Sequence, residues 1–277
     1  FPTGGIIYGY EGVKEALETG RGRVVMRART EIEHTESGRE CIVITEMPYM
    51  VNKAETIRKI ADMINDKRIE GISYINDESG RDGLRVVIIL KKDAVASVVL
   101  NTLFKNTPLQ SNFAVNNIAL VNGRPQLLNI KDQIKYFVEH RHDVIVRRAR
   151  FDLKKAQDRL HIVLGLLIAQ DNIDEIISII RGSETPDAAR QAMSERFGLS
   201  DLQTAAIIEM RLRALTKLSR HALEAERDEL EKQIAYLTEL LSSTEMQMGV
   251  IKAETLEMKE KYGDERRSEI VFSAEEF

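Results

Sequence analysis

The sequence predicts an α+β protein: a mostly antiparallel α/β domain, then a long antiparallel coiled coil with a small helical head. Short strand patterns fill the first 128 residues, the segment 130–164 contains neither Pro nor Gly, and an apolar series with heptad spacing lies near the far end. The 277 residues, of which 43% are hydrophobic, suffice for two structural units.

Alternating segments indicate the strands of the first domain. In 23–33, Val24, Met26 and Ala28 share one face and arginines share the other, as in a half-buried strand. Asn122-Gly123 is typical of a β-hairpin turn. Further strands are predicted at 41–45, 71–75, 84–90, 115–121 and 126–128. Helical spacing predicts a helix over 53–66, and Asp93 is predicted to cap a helix that ends near residue 104.

The second half of the chain has a helical pattern. A helix that begins after Asn129 and continues to residue 164 would be roughly 50 Å long and needs a partner in water. An apolar series in steps of three and four residues supplies that partner, and it consists of Leu223, Arg227, Leu230, Ile234, Leu237 and Leu241, continuing through Met248, Ile251 and Met258. Two such helices joined by a short insert must run antiparallel.

The insert between the two long helices contains start signals for short helices. Thr185-Pro186 is a cap followed by Pro, and Ser200 with Gln203 fits a capping box. Either Asn172 or Asp174 could start another helix. The predicted division is an α+β domain (1–128), a first arm (129–161), a head (162–218), a returning arm (219–265) and a linker (266–277).

No catalytic or metal site is predicted. The single Cys41 lies in an apolar run, which excludes a disulfide framework and favours a buried, inert thiol. His140 and His142 would face away from each other on a helix, and the acidic loop at Asp77 and Asp82 is more typical of a solvated turn than of a metal site. No apolar run approaches the roughly 20 residues of a membrane span, so we expect a cytoplasmic protein.

The strongest functional signal is basic. Residues 1–155 hold 25 Lys+Arg against 20 Asp+Glu, whereas the remainder is acidic. Such an excess favours a polyanionic partner for the first part of the chain, although a solvated surface is the alternative. Three groups of cations stand out: Arg21, Arg23, Arg27 and Arg29 on one strand face; Lys53, Arg58 and Lys59 on a helix; and Arg141, Arg147, Arg148, Arg150, Lys154 and Lys155 on the first arm.

The head is rich in large apolar residues for its size. Some of them must pack the head itself, but a small head leaves others free to meet a second copy. An intramolecular core and a dimer interface are both compatible with the pattern. The candidate interface residues are Ile207, Ile208, Met210, Leu212 and Leu215.

Several segments, in order, resemble the A subunits of bacterial DNA gyrases, which are type IIA topoisomerases. They are Phe1-Pro2-Thr3-Gly4-Gly5, Thr19-Gly20-Arg21-Gly22, Met47 to Ala54, Asp77-Glu78-Ser79, His140 to Arg148, Arg159 to Ile162, Asn172-Ile173-Asp174 and Tyr262 to Arg267. The resemblance implies an internal piece with a tower domain that flanks the cleaved DNA, a coiled-coil arm and a dimeric exit gate. Arg21 and Lys53 match family motif positions and are expected to contact double-stranded DNA.

The same resemblance implies what lies elsewhere. The family's nucleophilic tyrosine follows an arginine, and none of the seven tyrosines in this sequence does. The chain alone is therefore expected to be inactive and to hold no cofactor, with ATP and Mg²⁺ bound by a partner B subunit. The Pro48 to Ala54 segment favours gyrase over topoisomerase IV. A structural coiled-coil dimeriser without a nucleic-acid role is the alternative from a different class.

Overall fold

The computed structural model describes residues 1–273. The chain divides into two compact units, one made of Phe1–Phe137 with the segment that starts at Tyr262, the other of Val138–Lys261. The first unit contains strands β1 Ile6–Tyr8, β2 Arg21–Arg27, β3 Arg29–His34, β4 Glu40–Glu46, β5 Ile72–Asp77, β6 Val86–Leu90, β7 Gln110–Asn116, β8 Ile118–Val121, β9 Arg124–Leu127 and β10 Glu269–Val271, and helices α1 Glu11–Thr19, α2 Lys53–Asn65 and α3 Ala96–Asn106.

The strands of the first unit form two four-stranded sheets and a hairpin. One sheet has the order β10-β1-β2-β7 and the other β3-β4-β6-β5, while β8 pairs with β9 across the predicted Asn122-Gly123 turn. Among residues 1–273, the paired strands are antiparallel except β1 with β10. The α+β class and the mostly antiparallel pairing predicted from the sequence are confirmed.

The predicted single strand over 23–33 is wrong, because the chain changes sheets at Ala28. This residue is 1% exposed, and its N–H donates to the carbonyl of Leu109 at 2.8 Å. Its side chain packs in the core of the second sheet, whereas Val24 and Met26 pack beneath the first. The predicted alternation is therefore correct, but it continues through two strands in different sheets.

The second sheet carries the larger core of this unit. Ile42 and Ile88 from the central strands pack with Ile60 of α2 and Leu103 of α3, all of them fully buried. Cys41 lies on the opposite face in a small apolar cluster, and burial raises the pKa of its thiol. The prediction of a buried thiol is confirmed.

Two local predictions need correction. Asp93 does not cap α3, because the N-cap position is Val95 and no side chain accepts a bond there. The segment 266–277, predicted as a linker, contributes strand β10 in its described part. Ser268 is 2% exposed there, and its hydroxyl donates to the carbonyl of Thr3 at 2.8 Å. Residues 274–277 lie outside the described part.

The second unit is helical. Its elements are α4 Ile130–Asp171, which begins in the first unit, then α5 Ile173–Gly182, α6 Pro186–Phe197, α7 Asp201–Glu209, α8 Leu212–Thr216, α9 Arg220–Ser242 and α10 Thr244–Tyr262. The predicted caps hold: Asn129 accepts from the N–H of Asp132 at 2.8 Å, Thr185 caps α6, and Ser200 with Gln203 forms a capping box.

Ion pairs join α4 to the returning helices. Arg141 and Arg148 contact Glu254 of α10 at 2.6 and 2.7 Å, and Arg159 contacts Glu226 of α9 at 2.6 Å. These arginines hold the pKa values of both glutamates below their usual range. Because partner numbers fall as α4 residue numbers rise, the helices run antiparallel.

The predicted heptad series changes phase at Ser243. This residue has an extended backbone between α9 and α10, and beyond it Met248 and Met258 are exposed whereas Gln247 is buried. The Gln247 amide donates to the carbonyl of Leu240 at 2.9 Å, which also accepts the backbone N–H of Ser243 at 3.3 Å at the end of α9. The predicted continuation is therefore wrong at Met248 and Met258, because the helix restarts at Thr244, whereas Ile251 is 5% exposed as the series predicts.

Helix α1 lies so close to β2 that neither side of the contact has room for a side chain. A Cβ at Gly12 would lie 1.9 Å from the carbonyl oxygen of Arg23, and one at Gly22 would lie 2.4 Å from the carbonyl oxygen of Gly12.

We expect Gly12→Ala to destabilise the first unit by about 1–3 kcal/mol through overpacking. Urea unfolding followed by circular dichroism measures this. Gly80→Ala, where the new methyl meets open space, is the control, and equal stability of both variants would contradict the expectation.

Candidate nucleic-acid interface

Two of the predicted cations are displayed on the outer face of the first sheet. Arg21 and Arg23 are exposed on β2, directly opposite Asn116 and Ala114 of β7. Successive side chains of a strand alternate, so burial of Val24 on the inner face places the arginines outside. The pair therefore offers two guanidinium groups, which suit phosphate oxygens.

Polar residues of β7 border this surface and were missed in the sequence. With its amide oxygen turned toward Arg23, Asn112 accepts from Nη2 at 2.6 Å. Gln110 occupies the same face of β7 and accepts from Nε of Arg27 at 2.7 Å. The alternation of polar and apolar residues in 110–116 is the signal that could have revealed them.

Arg27 is held inside the unit rather than displayed. Its guanidinium lies 3.6 Å from the ring centroid of Tyr8 and 4.4 Å from that of Phe104. Burial is the main cause that lowers the pKa of Arg27, with Tyr8 opposing it. Such cation–π stacking stabilises the contact between the sheet and α3, so this predicted site residue has a packing role in the structure.

Arg29 also has intramolecular partners. Its Nε donates to the carbonyl of Gly4 at 3.2 Å, and its Nη2 lies 3.1 Å from the carboxylate of Glu269. Glu269 belongs to β10, so this ion pair ties β3 to the last strand of the unit. The four arginines thus divide into an exposed pair and a pair engaged in the fold.

Lys53 begins α2, which packs against the second sheet, whereas β2 belongs to the first. Its Nζ lies 2.8 Å from the carboxylate of Asp77, which also accepts the backbone N–H of Ser79 at 3.0 Å. The bond from Lys53 is the largest cause that lowers the pKa of Asp77 to about 2, followed by the bonds from Ser79. The predicted acidic loop is therefore partly neutralised by a predicted DNA-contact residue.

The five candidate interface residues of the head have different environments. Ile207 and Leu215 are 0% and 1% exposed in the core of the head, and Ile208 and Met210 pack partly buried against it. Leu212 is 47% exposed at the start of α8. In this conformation, Leu212 is the member of the set that is available to another chain.

Residues 1–273 contain no group of three His, Cys, Asp or Glu side chains arranged to hold a metal ion. Within the same range, none of the helices combines the length and apolar character needed to cross a membrane.

Comparison with known proteins decides the family. The model of the family that comprises the A subunits of DNA gyrase and topoisomerase IV matches residues 1–256. The chain belongs to this family.

Relatives in the gyrase/topoisomerase IV family align over nearly the whole chain. It is 52% identical over 272 residues to the DNA gyrase A subunit of Ureaplasma parvum, which is 98% of this chain and 32% of the relative. Identity is 51% to that of Staphylococcus epidermidis and 50% to that of Staphylococcus aureus strain MRSA252, again over 98% of this chain and 30% and 31% of the relatives. The chain thus spans about a third of the length of these relatives.

The Lys53–Asp77 pair predicts a stability change that depends on pH. The pKa of Asp77 is about 2 in the folded chain, against ~3.9 for an aspartate in the unfolded chain. The ionised carboxylate therefore stabilises the fold above pH ~3.9, and this contribution is lost as the pH falls through about 2. We expect Lys53→Met to lower stability at pH 7 by up to about 1 kcal/mol, since solvent screens a pair this exposed. Urea unfolding at pH 7 and near pH 2 measures the difference.

Asp77→Asn in the same background provides the control for this prediction. The effect of Lys53→Met should vanish when residue 77 no longer titrates. A difference between the variant and the unmodified chain that persists near pH 2 would contradict the role assigned to the pair.

Proposed function

We propose that the chain is part of the breakage-reunion region of a type IIA topoisomerase of the gyrase type. In this proposal it supports the cleaved DNA segment and forms the dimeric exit gate during ATP-dependent supercoiling in the bacterial cytoplasm. The observation that carries the proposal is the family match over residues 1–256, combined with relatives that are A subunits of DNA gyrase. Those relatives favour gyrase over topoisomerase IV, although the family description covers both.

The α+β unit is proposed as the tower domain. Support comes from Arg21 and Arg23, which are exposed side by side on a sheet face, and from Lys53 at the start of α2. Several neutralised phosphates would give binding that is strong at low salt and independent of sequence. Arg27 and Arg29 support the site indirectly, because their contacts fix β2 and β3.

The helical unit is proposed as a coiled-coil arm with the exit gate in its head. The antiparallel ion pairs between α4 and the returning helices support the arm. The exposed side chain of Leu212, on a head whose own core already contains Ile207 and Leu215, supports a contact with a second copy. In this proposal ATP and Mg²⁺ are bound by a B subunit.

The proposal assigns no cleavage activity to this chain by itself. The family's nucleophile is a tyrosine preceded by arginine, and the sequence contains no Arg-Tyr pair. The chain would therefore act by supporting and gating DNA, with the chemistry supplied by other parts of the enzyme. A purely structural dimeriser is the alternative, and DNA binding distinguishes the two.

We expect the chain to bind a fluorescein-labelled DNA duplex, and Arg21→Gln/Arg23→Gln to weaken that binding. The slope of log affinity against log salt should fall by about two, one for each lost phosphate contact. Fluorescence anisotropy over a salt series measures the slope. Arg81→Gln/Lys92→Gln removes two other exposed cations of the same unit and should leave it unchanged. Absence of duplex binding at low salt would support the structural dimeriser.

We expect the chain to be a dimer at micromolar concentration and Leu212→Glu to dissociate it, because a carboxylate cannot be buried in an apolar contact without a partner. Sedimentation equilibrium measures the mass. Met248→Glu is the matched control, since this side chain on α10 is 40% exposed against 47% for Leu212. A monomeric unmodified chain, or a Leu212→Glu variant that remains dimeric, would contradict the gate assigned to this residue.

A further inference from the structure

Helix α4 carries a second group of exposed cations, distinct from Arg21 and Arg23 of β2. Between residues 147 and 155 the sequence contains five Lys or Arg residues and one Asp. Positions separated by three, four, seven and eight residues share one face of an α-helix. The α4 basic stripe is the set of exposed residues with this spacing: Arg147, Arg150, Phe151, Lys154 and Lys155.

The stripe faces away from the packed side of the helix. Ala149 and Ala156 are 3% and 4% exposed on the opposite side, and Ala149 packs in a cluster with Leu237 and Leu240 of α9. Arg141, Arg148 and Arg159, in contrast, form the ion pairs with α9 and α10. The cations of α4 therefore form two sets, and pairing of the helices uses only one of them.

Few acidic side chains neutralise the cations of the α4 basic stripe. Arg147 pairs with Asp143 and Lys154 with Asp158, each at 3.0 Å between side chains that are 64–77% exposed. Such exposed pairs four residues apart are weak and can be exchanged for another anion. Arg150 and Lys155 have no acidic partner within residues 1–273. The stripe thus retains a net positive charge, and its cations form no ion pair with α9 or α10 in the described residues.

We infer that the α4 basic stripe is a second contact surface for the phosphate backbone of duplex DNA. From Arg147 to Lys155 a helix extends about 12 Å, over which one DNA strand presents roughly three phosphates. Four cations on a rigid helix match that polyanion in charge and length. Phe151, which is 68% exposed among them, packs against the sugar-phosphate chain and does not stack on bases, since duplex bases remain paired. This inference rests on the proposed function and extends it to the helical unit.

The test compares Arg150→Gln/Lys155→Gln with Lys232→Gln/Lys252→Gln in the full chain. The second variant removes two exposed lysines of α9 and α10 that have no ion pair in the described chain, so both variants change net charge equally. Anisotropy with a labelled duplex over a salt series is the readout, with circular dichroism as the folding check. We expect the stripe variant to bind about tenfold more weakly at low salt, with the salt slope reduced by about two, and the control to match the unmodified chain.

Each other outcome overturns the inference in a distinguishable way. If only Arg21→Gln/Arg23→Gln weakens binding, the stripe is not a DNA surface and the tower proposal stands. If the control Lys232→Gln/Lys252→Gln weakens binding as much as Arg150→Gln/Lys155→Gln does, the change in net charge alone is responsible. If Arg150→Gln/Lys155→Gln and Phe151→Ala both weaken binding to single-stranded DNA but not to the duplex, the duplex is the wrong partner. If the unmodified chain binds no duplex, the inference and the proposed function both fail.

Discussion

The parallel pairing of β1 with β10 is the constraint on which the rest of the chain depends. Ile6 pairs with Glu269 and Tyr8 with Val271, so the first and last described strands belong to one sheet. Parallel neighbours cannot be joined by a tight turn and require a crossover. Here the crossover contains the whole helical unit, so the chain must leave through α4 and return through α10. This return course accounts for the antiparallel direction of the helices, and the ion pairs and the apolar cluster of Ala149, Leu237 and Leu240 hold them together.

Local chemistry made much of this fold predictable. The Asn122-Gly123 turn, the caps at Asn129 and Thr185 and the Ser200–Gln203 capping box depend on residues only a few positions apart, so the sequence alone indicates them. What could not be predicted depends on distant partners. Strand β10 has three residues and no periodicity of its own, and it exists because β1 offers a free edge.

The same distinction applies to the candidate site. Strand alternation correctly predicts which arginines share a face, but it gives no information about what lies above that face. Arg27 meets Phe104, which is far away in sequence, and Arg29 meets Glu269 at the opposite end of the chain. Only Arg21 and Arg23 remain exposed. In the head, similarly, spacing identified apolar residues but could not separate the buried Ile207 and Leu215 from the exposed Leu212.

The distribution of charge on α4 links the arm's stability to its surface. One arginine set meets acidic residues of the returning helices, where Glu254 accepts from both Arg141 and Arg148. These ion pairs are partly shielded and fix the register of the two helices. A second set, displayed away from the buried Ala149 and Ala156, forms no ion pair with the returning helices within residues 1–273, yet concentrates positive charge on a chain whose net charge is −4. Of the returning helices, α9 holds three Lys or Arg against six Asp or Glu, so in the inference proposed above a polyanion would be attracted to the stripe on α4 and repelled by α9.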